Sequence, residues 1–355
     1  MRRMQKLTSI VLIAITMSTA ITTFAGNEQR VGQAGATQLQ INPFARSTGM
    51  ASANSASVHG LEASFLNVAG LAFTESTELI FSRTNWLSMG GVNNGVANIN
   101  AFGFTQKVGE SGVLGVSVMS MGFGDIEITT VSLPEGGSGT FSPTLSNIGI
   151  SYAQEFSNSI YGGFTLRGIT ESISNISAQG MCFDAGIQYV TGAKDNFQFG
   201  VSLNNIGPRL LFEGDGISFR GNAEEGDYNL TVEQRTDDFE MPSLLNIGMA
   251  YDLPFLSEIH RVSGSFNFTS NSFQKDQFRL GVEYAFNEMF MIRTGYIYEE
   301  GVNNPSTRTT ALRGPCGGIT LEVPIAGETT FGLDYSYQHT DPFYGNHRIG
   351  VRIDL

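Results

Sequence analysis

The sequence predicts an all-β protein, a transmembrane antiparallel β-barrel of about fourteen strands with an N-terminal plug. Three observations carry this expectation. From residue 77 onward apolar and polar residues alternate in segments of about ten residues. That is the period of a strand with one dry face, and the length that crosses a bilayer when tilted. The connections between those segments mostly sort by parity, long at one end and short at the other. Finally, only 15% of the 355 residues are charged and 43 are glycine, while hydrophobic residues stay at 41%. This composition suits strands that are apolar on one face only, and not a disordered chain or a helical membrane protein.

Taken in chain order, "MRRMQKLTSIVLIAITMSTAITTFAGNEQR" opens with Arg2, Arg3 and Lys6, continues with an apolar run from Ile10 to Met17, and reaches Thr23-Phe24-Ala25. It reads as a secretory signal peptide over residues 1–25, cut between Ala25 and Gly26. The alternative, a membrane anchor helix, fits a run so short and so interrupted by Thr and Ser less well. Export to the cell outer membrane is therefore expected. No later window holds the roughly 18 apolar residues of a membrane helix. The chain carries a formal net charge of −13, and losing its basic leader makes it more acidic still, which excludes nucleic acid as a natural partner.

Residues 26–76 are rich in Ala, Ser, Gly and Asn and lack sustained alternation. They read as a hatch folded into the lumen, with short helical turns around Leu61 to Ala72. A loose periplasmic arm is the alternative, which the low charge disfavours. The barrel occupies residues 77–355. Strands are expected near 77–86, 96–107, 112–121, 144–156, 159–173, 179–191, 196–205, 244–254, 261–270, 277–286, 289–299, 312–325, 329–339 and 347–355. "QFRLGVEYAF" is the clearest, with Phe278, Leu280, Val282, Tyr284 and Phe286 on one face. An even number of strands closes a barrel with both ends on one side. The last strand is expected to pair with the first through Ile349, Val351, Ile353 and Leu355, because hydrocarbon does not tolerate an open sheet edge.

The wet face carries Arg279, Glu283, Asp334, Arg348, Arg352, Asp184 and Gln188, so the lumen holds water or a polar plug. Tyr152, Tyr161, Tyr189, Tyr251, Tyr284, Tyr298 and Tyr335 fall on or near strand ends, where interfacial girdles sit. Cys182 and Cys316 both point inward from well-separated strands, which disfavours a disulfide between them.

No catalytic site is expected. The four histidines His59, His260, His339 and His347 show no metal spacing, and the chain has no CxxC and no G-x-S-x-G. Nor is a cofactor expected. The long connections 122–143 and 206–243 are the candidate partner-binding loops. Their candidate contacts are Phe123, Asp125, Ile126 and Phe141 in the first, and Leu211, Phe212, Asp215, Phe219, Asp227 and Tyr228 in the second. The second is strongly acidic, suited either to a basic partner surface or simply to solvent.

Several segments resemble a known family. "ARSTGMASANSASVHGLEASFLNVAGLAF" is similar to the N-terminal signature of the PorV/PorQ family, relatives of the FadL-type fatty-acid channels. The match runs over Ala45 to Met50 and over Asn67-Val68-Ala69-Gly70-Leu71, with Val68 where the family usually has proline. "MGFGDIEITT", "GTFSPTLSNIGISYA", "NNIGPRL" and "MPSLLNIGMAYDL" look like further landmarks of that family. The resemblance implies a FadL-like barrel of fourteen strands in the outer membrane, with Asn67, Gly70 and Leu71 in its hatch. It also implies a non-enzymatic part in type IX protein secretion. Partners would be the secretion translocon, cargo C-terminal domains or attachment-complex subunits, besides outer-membrane lipid. The competing reading is a FadL-like transporter of hydrophobic small molecules. A general porin comes third, because the plug opposes it.

Overall fold

The computed structural model describes residues 26–90, 95–222, 229–253, 259–327 and 329–355. The proposed leader and Ala25 lie outside the described residues, as do Asp227 and Tyr228.

Fourteen antiparallel strands form the wall: β1 Thr77–Ser88, β2 Gly95–Val108, β3 Gly112–Gly122, β4 Thr144–Ser157, β5 Ile160–Ile173, β6 Ile176–Thr191 and β7 Phe197–Ile206. Then follow β8 Leu244–Asp252, β9 His260–Asn271, β10 Gln277–Phe286, β11 Phe290–Glu299, β12 Leu312–Ala326, β13 Thr329–Thr340 and β14 Asn346–Asp354. Each pairs with its neighbours in sequence, and β1 pairs with β14, so the sheet closes. The seam runs through Phe81↔Val351 and Arg83↔Ile349, and the Leu355 amide donates to the Thr77 carbonyl at 2.8 Å. Ile349, Val351, Ile353 and Leu355 thus meet the first strand as the alternation requires.

Alternation sorts the two faces. Phe81, Phe102, Val116, Ile150, Leu166, Ile187, Val201, Ile247, Leu280, Ile292, Ile319 and Leu333 are exposed on the outside, a surface that only a bilayer covers without penalty. The inner face buries Thr165, Arg167, Asp184, Gln188, Ser202, Asn267, Asp334 and Arg348. No described helix is long and apolar enough to cross a membrane.

Two expectations need correction. The sixth strand starts at Ile176, so the fifth connection shrinks to Ser174 and Asn175, with Ser174 at positive φ (52°). The fifth connection, whose expected intermediate length had no bearing on the parity of the others, is thus a tight two-residue hairpin. Tyr161 faces the lumen, not the girdle: its ring lies 4.1 Å from that of Phe73. It shares the parity of Thr165 and Arg167, and an aromatic side chain packs as well against a plug as against lipid.

Candidate functional site, a filled lumen beside a broken wall

Irregular backbone at membrane depth survives only where protein satisfies its polar groups. Residues 26–76 meet that condition inside the barrel. A helical turn, Ala45–Gly49, precedes two 3-10 turns, Leu61–Phe65 and Val68–Phe73. The last two answer the short helical turns expected there; the first carries no apolar period and was not foreseen. Wall side chains supply the missing partners. Ser82 Oγ donates to the Pro43 carbonyl at 2.7 Å, Ser202 Oγ to Leu66 at 2.7 Å, and Arg348 Nε to Asn42 at 3.2 Å. Glu78 accepts from the Leu61 amide at 2.7 Å. Within the segment, Glu62 accepts from both the Ser47 amide (3.2 Å) and its hydroxyl (2.6 Å).

Asn67, Gly70 and Leu71 come together in this plug. Asn67 Nδ2 donates to Ser55 (2.8 Å) and to Ile187 of the wall (3.1 Å), while its Oδ1 caps the Ala69 amide (3.3 Å). A Cβ on Gly70 would stand 1.9 Å from the Val58 carbonyl oxygen. Leu71 is fully buried in an apolar cluster with Phe44, Leu61, Ile80 and Ile99. Val68 takes the first position of its 3-10 turn, where a proline also fits. The plug's backbone lies directly on wall glycines: a Cβ on Gly295 would sit 2.5 Å from the carbonyl carbon of Met50, and one on Gly200 2.5 Å from the Ser55 oxygen. Glycine in a strand interior marks such an approach. Alternation already puts many glycines on the wet face; which of them the plug's backbone meets depends on contacts distant in sequence.

Two cavities lie at the rim of short turns. One, about 280 Å³, is lined by Arg46, His59, Glu62, Glu283 and Arg293; the other, about 500 Å³, by Arg46, His59, Glu78, Glu322 and Arg352. Both are polar. Above the plug's helical turn a cavity of only about 60 Å³ remains, with Leu39, Ile41, Phe65, Trp86 and Ile297 opposite Arg279 and Arg348.

The wall itself is interrupted between β6 and β7. Their register runs regularly to Ala185↔Leu203, then jumps to Phe183↔Ile206. The extra residue is Asn205, at φ 62°. Its amide donates to Asp184 at 2.6 Å, and its side chain to the carbonyls of Pro242 (3.1 Å) and Leu39 (3.3 Å). Asp184 in turn pairs with buried Arg167 at 3.1 Å. Past Ile206 the chain leaves the wall and returns as Phe212–Glu213, pairing with Ala178 and Ser177 of β6. Between these pairings β6 is covered by residues 207–211. Leu210 presses on Gly180, where a Cβ would be 2.0 Å from its methyl, and is buried with Ala36, Ile169, Cys182 and Met241.

Loop 207–243 also grips the plug's first residues. Arg30 pairs with Glu240 at 2.8 Å, and Glu240 with Arg209 at 2.8 Å. The hydrogen bond from Arg30 holds the Glu240 carboxyl below the usual carboxylate range. On the other side Lys275 pairs with Glu28 at 3.1 Å, and Arg30 lies 4.1 Å over the Phe273 ring.

The candidate loop residues divide. Phe123 packs toward the lumen cluster, Asp125 accepts from the Ser142 hydroxyl, and Ile126 pairs with Phe141 in a two-residue ladder. Phe212 stacks near Phe239 with centroids 5.5 Å apart. Leu211 is exposed, and Asp215 opens a 3-10 turn. Phe219 is 53% exposed on a hairpin formed by Ser218–Asn222 and Asn229–Glu233. Both cysteines are free, Cys182 at the wall break and Cys316 beside Ala51 and Ile297. Among the described residues, no group of three His, Cys, Asp or Glu is placed to hold a metal ion.

No protein-family model matches the chain, and no curated protein matches its sequence. Among solved structures it is similar to the CymD monoaromatic hydrocarbon channel, with a TM-score of 0.53 and 14% identity over 88% of this chain and 96% of that one. It is similar also to the toluene transporter TodX of Pseudomonas putida, with a TM-score of 0.53 and 12% identity over 84% of this chain and 94% of that one. A TodX mutant lacking S2 and S3 gives a TM-score of 0.52 and 13% identity over 87% and 97%. The likeness is one of fold. The chain is a closed, fourteen-strand antiparallel barrel of the same fold as those channels.

Proposed function

We propose that this protein is an outer-membrane channel for small hydrophobic molecules, with residues 26–76 as its hatch. The observation that carries this reading is the break between β6 and β7. There residues 207–211 cover the flank of β6, and Leu210, on the lumen side of Gly180, closes an apolar cluster reaching the plug at Ala36 and Leu39. A hydrophobic solute that displaced Leu210 would pass between lumen and bilayer without crossing the polar chambers below. The names of the structural neighbours, channels and transporters of monoaromatic compounds, lend the solute class. Uptake of toluene into proteoliposomes tests it: Leu210→Trp should cut uptake at least tenfold, and uptake no faster than in protein-free vesicles refutes the proposal.

A second reading follows from the resemblance to PorV/PorQ proteins and from one surface feature. Phe219, Leu230 and Val232 stand exposed on one face of the hairpin in loop 207–243, with Phe219 opposite Val232. Such a patch suits a protein partner, as a type IX secretion component would require. Deleting residues 218–233 should then stop surface delivery of cargo while the barrel still inserts. Unchanged delivery counts against this role.

A further inference from the structure

The outer face of β1–β6 departs from the pattern of the rest of the wall. Strand register aligns Phe81, Phe102, Val118, Ile148, Gly168 and Met181 in one outward row. The next outward row toward the loop rim, in the same register, is Arg83, Asn100, Ser120, Ser146, Thr170 and Gln179. Six consecutive strands thus change from apolar to polar at one step. Arg83, exposed at mid-strand, has no ion pair or hydrogen bond among the described residues. At the far end of the row the wall is notched. A groove of about 410 Å³ opens outward, floored by Gly168, with Ile148 and Met181 on its bilayer side and Ser146, Thr170 and Gln179 on its loop side.

We propose that this face binds an anionic, hydroxyl-bearing lipid of the outer leaflet. The order of chemistries along the groove, polar toward the loops and apolar toward the bilayer core, is that of an amphiphile lying with its headgroup at the rim. Gly168 leaves room for an acyl chain between Ile148 and Met181. Hydroxyls and the Gln179 amide meet sugar or glycerol oxygens. Arg83, roughly 14 Å from Ser146 at three strand spacings, supplies the cation that a phosphate needs. A polypeptide partner has no reason to present that order across six strands, and the groove faces lipid, not the lumen. The proposal shares with the transport reading only the placement in an outer membrane; it does not depend on passage through the wall.

Native mass spectrometry of the delipidated full chain, titrated with bisphosphorylated lipid A, monophosphoryl lipid A and phosphatidylethanolamine, tests it. Wild type should retain one bisphosphorylated lipid A at a concentration at least tenfold below phosphatidylethanolamine, with the monophosphoryl form between them. Gly168→Leu, whose added Cβ meets nothing closer than the Ile148 oxygen at 3.9 Å, and Arg83→Gln should each weaken retention at least fivefold. Their heat-modifiable migration on gels should stay that of the folded barrel. Equal retention of all three lipids, or unchanged retention in both variants, overturns the proposal. So does a co-purifying protein that shields a cysteine at Gln179→Cys from labelling.

Discussion

Asn205 concentrates the unusual physics of the wall. A left-handed backbone outside glycine is costly, and asparagine is among the few residues that visit it. Here its side chain ties strand β7 to the plug at Leu39 and to the returning loop at Pro242. Asn205→Ala should keep the strained φ and lose both bonds, destabilising the barrel by about 1–3 kcal/mol; thermal unfolding in detergent measures this. Gly295 poses the opposite case. A methyl there meets the backbone of Met50 and Ala51 at 2.5 and 2.7 Å, and backbone cannot swing away as a side chain can. Gly295→Ala should cost about 1–3 kcal/mol by overpacking. It should also raise ion leakage in planar bilayers as the plug lifts from the wall, whereas a silent variant would mean that the plug yields elsewhere.

Loop 207–243 and the plug's first residues act as a clasp held partly by charge. Glu240 bridges Arg30 and Arg209, and its folded-state pKa is depressed by the bond from Arg30. A depressed carboxylate contributes stability above its ordinary pKa and loses it as pH falls through the folded value. The clasp should therefore hold at neutral pH and loosen below the ordinary carboxylate range. Hydrogen-exchange protection at residues 28–33, taken relative to the intrinsic amide rate at each pH, should fall on acidification in wild type and be low at both pH values in Glu240→Gln. Alternation made the strands legible, from Phe278–Phe286 to the seam at Ile349 and Val351, because every odd–even pair reports which medium it faces. The clasp and the wall break were illegible for the same reason. Leu210 and Asn205 act through contacts distant in sequence, and nothing periodic marks a strand that ends early. "NNIGPRL" stood out as a landmark of the family it resembles, yet its local pattern does not say that the wall stops there.

At the scale of the molecule, the filled lumen predicts that the purified protein shows no steady ion conductance in planar bilayers. Stable open steps in wild type would exclude the packing of residues 43–76 against the wall. Residues 26–30 lie among the loops at Phe273, Lys275 and Glu240. Asn27→Cys should accordingly be labelled by an impermeant maleimide on intact cells, while Ser57→Cys, which lines the turn-side chamber, should not. The interruption in the wall also bears on biogenesis. One flank of β6 is sealed by a connector that reaches its place only after being carried across the bilayer, so strand pairing alone leaves a slit. During insertion the nascent cylinder is therefore incomplete until that connector folds back, and the assembly machinery must stay engaged, or lipid must fill the gap, up to that moment.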